Sequence, residues 1–303
     1  MYNYSNSSCF IGRCIVIKGL LDPKVDFVFK NIFGSEKHPE ILISFLNAIL
    51  KPVKKIVSVK INKNDLDKQF IEDKYSRLDV KATTSNDEII NIEIQLKNEN
   101  NMIKRSIYYL SKMYEEQLSE GENYSKISRT ICINILNFKY LRTSNFHTGY
   151  RLKEITTNEE LTDVIELHFV EIPKLKSGSD EKDMLVAWTE FLKDPESEKV
   201  RGLELEVEEI RKAKDELIRM SNNDEQRIIY DMRANALRDK ISELDEAEKK
   251  GIKKGIEKGI KEGAKQEKIN NAKNFLKLGI DIETISKGTG LTIEEIKNIE
   301  LEE

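Results

Sequence analysis

Apolar and polar residues alternate singly along two neighbouring stretches, YSRLDVKA from Tyr75 and EIINIEIQLK from Glu88, with the turn-forming TTSND between them. Period two is the signature of a strand, so the pattern predicts a hairpin and assigns its faces. Leu78, Val80 and Ala82 point one way, and Arg77, Asp79 and Lys81 the other. In the second strand Ile90, Ile92, Ile94 and Leu96 form the apolar face, while Asn91, Glu93, Gln95 and Lys97 form the polar one. Pairing of the two strands would bring Asp79 beside Glu93.

Longer periods frame this hairpin. Val25, Phe29 and Phe33 fall at helical spacing from Lys24 to Phe33, with Gly34 as a stop. Pro39 opens a second, nearly all-apolar helix, ILISFLNAIL, whose composition implies burial. KIVSVKI, Lys55 to Ile61, reads as a strand. A helix is expected from Met102 to about Glu120, closed by Gly121, with Ile103, Ile107, Leu110, Tyr114 and Leu118 as its core stripe. TICINILNF, from Thr130, suits a central strand buried on both faces. Strands at about Tyr150–Ile155 and Val164–Ile172 follow. The helix DMLVAWTEFL from Asp183 carries the only Trp, Trp188, as a packing anchor.

Beyond Pro195 the pattern is helical and highly charged, as in LELEVEEIRKAKDELIRM. GIKKGIEKGIKEGAKQEK, Gly251 to Lys268, repeats every four residues and stacks Gly251, Gly255, Gly259 and Gly263 beside Ile252, Ile256 and Ile260. Each glycine costs a helix about 0.8–1 kcal/mol relative to alanine, so the run reads either as a close helix–helix contact or, preferred here, as a marginal linker-like helix. The last segment, Asn271 to Glu300, predicts a small helical module with stops at Gly279 and Gly290 and a capping box at Thr292 and Glu295. The acidic end of this module favours protein contact over DNA reading. The domain reading is a 1–20 extension, a 21–195 domain, a charged helical region over 196–268 and a module over 269–303.

Composition constrains function only loosely. A net charge of −4 across 303 residues does not advertise a nucleic-acid binder, although a local basic groove suffices for a nuclease. The three cysteines, Cys9, Cys14 and Cys132, show neither metal-ligand nor disulfide spacing, which fits a reducing cytoplasm. The N-terminal run CFIGRCIVIKGLL is interrupted by Arg13 and Lys18, and reads as neither signal peptide nor membrane span. His147 and His168 stand apart in sequence and read as structural. On spacing alone, the Asp79/Glu93 pair is either a solvated polar face or an oxygen-rich Mg²⁺ site.

Asp79 followed by Glu93-Ile94-Gln95 on adjacent strands resembles the core of the PD-(D/E)XK nucleases. DFVFKNIFG (Asp26–Gly34), LISFLNAIL, RLDV, NIEIQ, RSIYYLSKMYEEQLSEGENY (Arg105–Tyr124) and HFVEIPK (His168–Lys174) are similar to the Rpn recombination-promoting nucleases, the PD-(D/E)XK family transposases. The resemblance covers roughly Leu21 to Leu192. It implies an α/β, restriction-endonuclease-like mixed sheet flanked by helices, here with an all-helical C-terminal extension. It further implies a metal-dependent DNA endonuclease linked to recombination or mobile elements. Asp79, Glu93 and the Ile94 carbonyl would bind Mg²⁺ or Mn²⁺, and Asp26 would face the cleft. Gln95, where the broad superfamily has Lys, would orient water without supplying charge. Lys30, Lys97, Arg105 and Tyr109 are the candidate DNA contacts. The alternative is a DNA-binding or assembly protein that keeps the fold with weak or no catalysis. The expected partners are DNA and, through the C-terminal helices, further copies of the chain, with no membrane.

Overall fold

The computed structural model describes residues 19–62, 80–98, 101–180 and 182–301. Helices α1 (Asp26–Phe33) and α2 (Pro39–Leu50) precede strands β1 (Val59–Asn62), β2 (Val80–Thr84) and β3 (Ile89–Gln95). Helix α3 (Met102–Glu115) crosses to β4 (Thr130–Leu136), which is followed by β5 (His147–Lys153) and β6 (Glu160–Glu171). The remainder is helical: α4 (Met184–Lys193), α5 (Glu198–Glu206), α6 (Glu208–Asn222), α7 (Asp224–Lys277), α8 (Ile282–Thr289) and α9 (Ile293–Leu301).

The six strands form one sheet in the order β1-β2-β3-β4-β6-β5. β1, β2 and β3 run antiparallel, β3 and β4 run parallel, as do β4 and β6, and β5 returns antiparallel along the edge of β6. Parallel pairing of β3 with β4 requires a crossover, and α3 supplies it. Such a sheet is covered on both faces, which is why all seven residues of β4 are buried.

The faces differ in chemistry. Ile90, Ile92, Ile94, Ile131, Ile133 and Ile135 join α1, α2, α4 and α6 in the main core. There Trp188 is fully buried, sits edge-on to Phe33, Phe45 and Phe191, and donates its indole N–H to Ser44 Oγ at 3.2 Å, the packing anchor expected of it. The opposite face carries the smaller cluster of Met102, Leu136 and Phe169.

Two details depart from the sequence pattern. The buried residues of α3 are Met102, Ser106, Leu110 and Met113, whereas Ile103 and Ile107 are exposed. Relative to the expected stripe the helix is turned by about one residue, because the strand beneath presents the polar Asn134, which Ser106 meets and an isoleucine could not. The helix also ends at Glu115, and Gly121, at φ +84°, closes the turns that follow it.

The main core does not stop at Pro195, where composition changes. Val200, Leu203, Ile210, Ala213, Leu217 and Met220 of α5 and α6 belong to it, and Ser221 Oγ accepts the Leu21 amide at 3.0 Å. The first compact unit extends to Leu237, and the second is Arg238–Glu303. Within the second unit Ala272, Ile285, Leu291, Ile296 and Ile299 form a separate core. Thr292 and Glu295 make the capping box: Glu295 N donates to Thr292 Oγ1 at 3.2 Å and Thr292 N to Glu295 Oε2 at 2.8 Å. The glycine repeat is helical throughout, and a Cβ built on any of its four glycines would meet nothing within 4 Å.

Candidate active site

Alternation along β3 turns Asn91, Glu93 and Gln95 toward the face that α3 covers. This polar face is not solvated, since Asn91 and Glu93 are both fully buried. Glu93 Oε2 lies 3.6 Å from Arg105 Nη2, and Asn91 Nδ2 donates to Glu93 Oε1 at 3.5 Å. Arg105 rests over the Tyr109 ring, 5.5 Å from its centroid, one helical turn further along α3. On the next strand Cys132 lies opposite Asn91, and Asn134 opposite Glu93. The Ser106 hydroxyl lies 2.8 Å from both the Met102 carbonyl and Asn134 Oδ1, and Asn134 Nδ2 donates to the His168 carbonyl at 3.2 Å. Burial, reinforced by the Glu93 charge, pushes the Cys132 thiol well above its ordinary range, so it stays neutral.

Backbone direction separates the carbonyls of β3. Ile89 N donates to Arg129 O and Gln95 O accepts from Asn137 N, each at 2.9 Å, on the β4 side. Alternation therefore turns the Ile94 peptide groups to the β2 side. There Val80 pairs with Ile92 and Lys81 with Asn91. Asp79, the residue before Val80, lies outside the described residues.

The other expected site residues take separate places. Asp26 at the start of α1 accepts its neighbour's amide, Phe27 N, at 2.8 Å and pairs with Arg233 of α7 at 3.4 Å. Lys30 is half-buried one turn along the same helix. β3 ends at Gln95, so Lys97 lies in the bend beyond it, and strand alternation does not place it beside Glu93 as expected. The chain turns there to enter α3, whose N-cap Asn101 is left-handed at φ +58°.

Strand β3 offers three hard oxygen donors in succession: the buried Glu93 carboxylate, the Ile94 carbonyl turned to the β2 side and the Gln95 carboxamide on the same strand face as Glu93. The nearby sulfur stays protonated. This set suits Mg²⁺ or Mn²⁺ and disfavours thiolate-seeking metals. Among the described residues no three His, Cys, Asp or Glu side chains converge on one point.

Sequence reasoning missed a second polar network at the β5–β6 edge. His147 and His168, read as isolated, stack at 5.2 Å and share a hydrogen bond of 2.9 Å between Nε2 and Nδ1. His168 Nε2 meets Glu166 Oε1 at 2.7 Å, and Glu166 Oε2 takes both Arg129 and Arg151. Arg129 also reaches Glu88 at 2.8 Å. The one legible clue was the alternation of Glu166 and His168 along β6, since a hairpin places His147 opposite Val170.

The mixed sheet with its crossover helix, carrying an acidic residue beside Ile94-Gln95 on the strand before that helix, defines a PD-(D/E)XK nuclease fold. A model of the family described as PD-(D/E)XK nuclease family transposase matches residues 23–247. The chain belongs to this family, which gives it a nuclease- or transposase-related role. Comparison with curated proteins and with solved structures gave no match. Among the described residues no helix is long and apolar enough to cross a membrane.

Proposed function

We propose that the protein is a metal-dependent DNA endonuclease whose site is centred on Glu93. The observation that carries this reading is a fully buried carboxylate with a guanidinium at 3.6 Å. Such a group is costly to bury without positive charge around it. Asp79 is assigned as the second carboxylate, because it directly precedes the residue that faces Ile92. Asp79, Glu93 and the Ile94 carbonyl would hold Mg²⁺ or Mn²⁺. When bound, the ion would lower the pKa of a coordinated water and offset charge on the scissile phosphate.

The chain's own residues have distinct tasks. Arg105, braced over Tyr109, is suited to grip a phosphate with two parallel N–H donors. Gln95 orients a water through its carboxamide but neither carries charge nor takes a proton at neutral pH. Lys30 and Lys97 are the candidate additional cations, and Asp26, held by Arg233 at 3.4 Å, would join the cleft only on release of that pair. The substitution of Gln for Lys also favours a second reading, a DNA-binding or assembly protein with weak catalysis.

The first prediction separates the two. Purified protein should nick or linearise plasmid DNA with Mg²⁺ or Mn²⁺, and Asp79→Ala and Glu93→Ala should each lower the rate at least about 100-fold. Cleavage that survives both substitutions overturns the site. DNA binding in EDTA without cleavage under any divalent ion supports the second reading.

A further inference from the structure

We propose that the His147 end of the Glu166–His168–His147 chain, together with Lys51 and Lys176, forms a binding site for a phosphate group. It does not depend on cleavage at Glu93. His147 lines a cavity of about 320 Å³ with Lys51, Ser144, Lys176, Ser179 and Asp183. That volume is at the lower end of small-molecule pockets, which run to about 300–1,000 Å³. The site is drawn from several elements of one compact unit: the C-cap of α2, the segment entering β5, the turn after β6 and the N-cap of α4. The lining offers the ammonium groups of Lys51 and Lys176 and the hydroxyls of Ser144 and Ser179, donors that phosphate oxygens accept from, and a phosphate there would share Lys51 with the Asp183 carboxylate, which it meets at 3.1 Å.

Built polarity behind the wall distinguishes this cavity from a surface patch of lysines. Glu166 and His168 are each only 5% exposed at the side chain and hydrogen-bonded to each other, and His168 passes the chain on to His147. Gly149 makes room for this. A Cβ there would come within 3.1 Å of the His168 ring, so the β5 backbone must pass close over the imidazole. The conformation of Lys51 is equally specific, at φ +43° in the left-handed region after α2.

Proton placement gives the chain its use. The Glu166 carboxylate accepts a hydrogen bond from His168 Nε2–H, His168 Nδ1 then accepts from His147 Nε2–H, and His147 Nδ1 is the ring nitrogen that these two contacts leave over. With the pair neutral, Nδ1 accepts a hydrogen bond. With one proton added, Nδ1 donates, and the added charge lies between the Glu166 carboxylate and whatever fills the cavity. An anion beside Lys51 and Lys176 favours the second state. Burial is the main opponent of His147 protonation, joined by the charges of His168 and Lys51, while Asp183 and Glu166 favour it. Arg129 and Arg151 both pair with Glu166, the carboxylate at the far end of the chain.

The experiment follows the imidazole resonances of the full chain, which has only three histidines. The probes are inorganic phosphate, thymidine 5′-monophosphate, thymidine and an oligonucleotide without terminal phosphate, at fixed ionic strength. Thymidine 5′-monophosphate at millimolar concentration should shift His147 and raise its titration midpoint, whereas thymidine should not. A response to the oligonucleotide as well would identify the ligand as a DNA phosphodiester, and a response to the monophosphate alone would identify a terminal phosphate. The pair Lys51→Asn and Lys176→Ala, the first chosen to tolerate left-handed backbone, should weaken binding at least about tenfold with an unchanged thermal midpoint. His147 resonances unmoved by every phosphorylated probe, or binding unaffected by the double substitution, overturn the site.

Discussion

At the scale of single residues, buried ionisable groups dominate. Glu93 and Glu166 are both buried carboxylates on the sheet, yet their surroundings differ. Glu166 has His168 and two arginines in contact. Burial works against its ionisation, but His168 and Arg129 overcome that and hold it down at about 2. His147 moves down to about 4, chiefly because burial disfavours the imidazolium, helped by His168 and Lys51.

The signs combine in acid. Unfolded histidine gains its proton near 6.5 and folded His147 only near 4, so stability falls as pH drops between these values. For Glu166 the loss comes lower, between the ordinary 4.5 and about 2. Urea midpoints should decline steadily below pH 6.5, with a His147 contribution on the order of 1–3 kcal/mol. His147→Gln should flatten the upper part of that decline and leave the part below pH 4.5. An acid profile unchanged by the substitution would remove His147 as its source.

At the scale of elements, strand faces and helix ends are legible in the sequence. Alternation placed Glu93 and Gln95 on one side of β3, and Thr292 with Glu295 announced the start of α9, because both patterns are local. What α3 buries was not legible. Ile103 and Ile107 look like core in isolation, and only the strand below, with Asn134 at the contact, selects Ser106. The paired histidines were hidden for the same reason, since residues 21 apart become neighbours through a hairpin register. Substitution tests the orientation of α3. Leu110→Ala should cost about 2–5 kcal/mol, while Ile107→Ser should stay within about 0.5 kcal/mol in urea unfolding. Equal losses would restore the stripe that spacing alone suggests.

At the scale of the whole molecule, charge concealed a structural role. The segment after Pro195 is so rich in Glu, Lys and Arg that it reads as an appendage. Yet Ile210, Ala213, Leu217 and Met220 recur at intervals of three and four, forming one narrow apolar stripe that completes the main core. Salt bridges tie it down as well: Lys212 meets Glu40 of α2 at 2.8 Å and holds that carboxyl down at about 2. A chain ending at Pro195 should therefore fail to give a cooperative thermal transition, and one ending at Leu237 should keep it. A sharp transition from the shorter chain would show that α5 and α6 are dispensable.

Strand order carries one more consequence, for a chain emerging from the ribosome. β5 is synthesised before β6 but ends outside it, so β4 cannot acquire its second neighbour until residue 171 has been made and β6 has come in between. Throughout that interval β4, every residue of which is buried in the finished sheet, presents a bare edge. That is the stage of biosynthesis at which two nascent chains are most prone to join through their backbones.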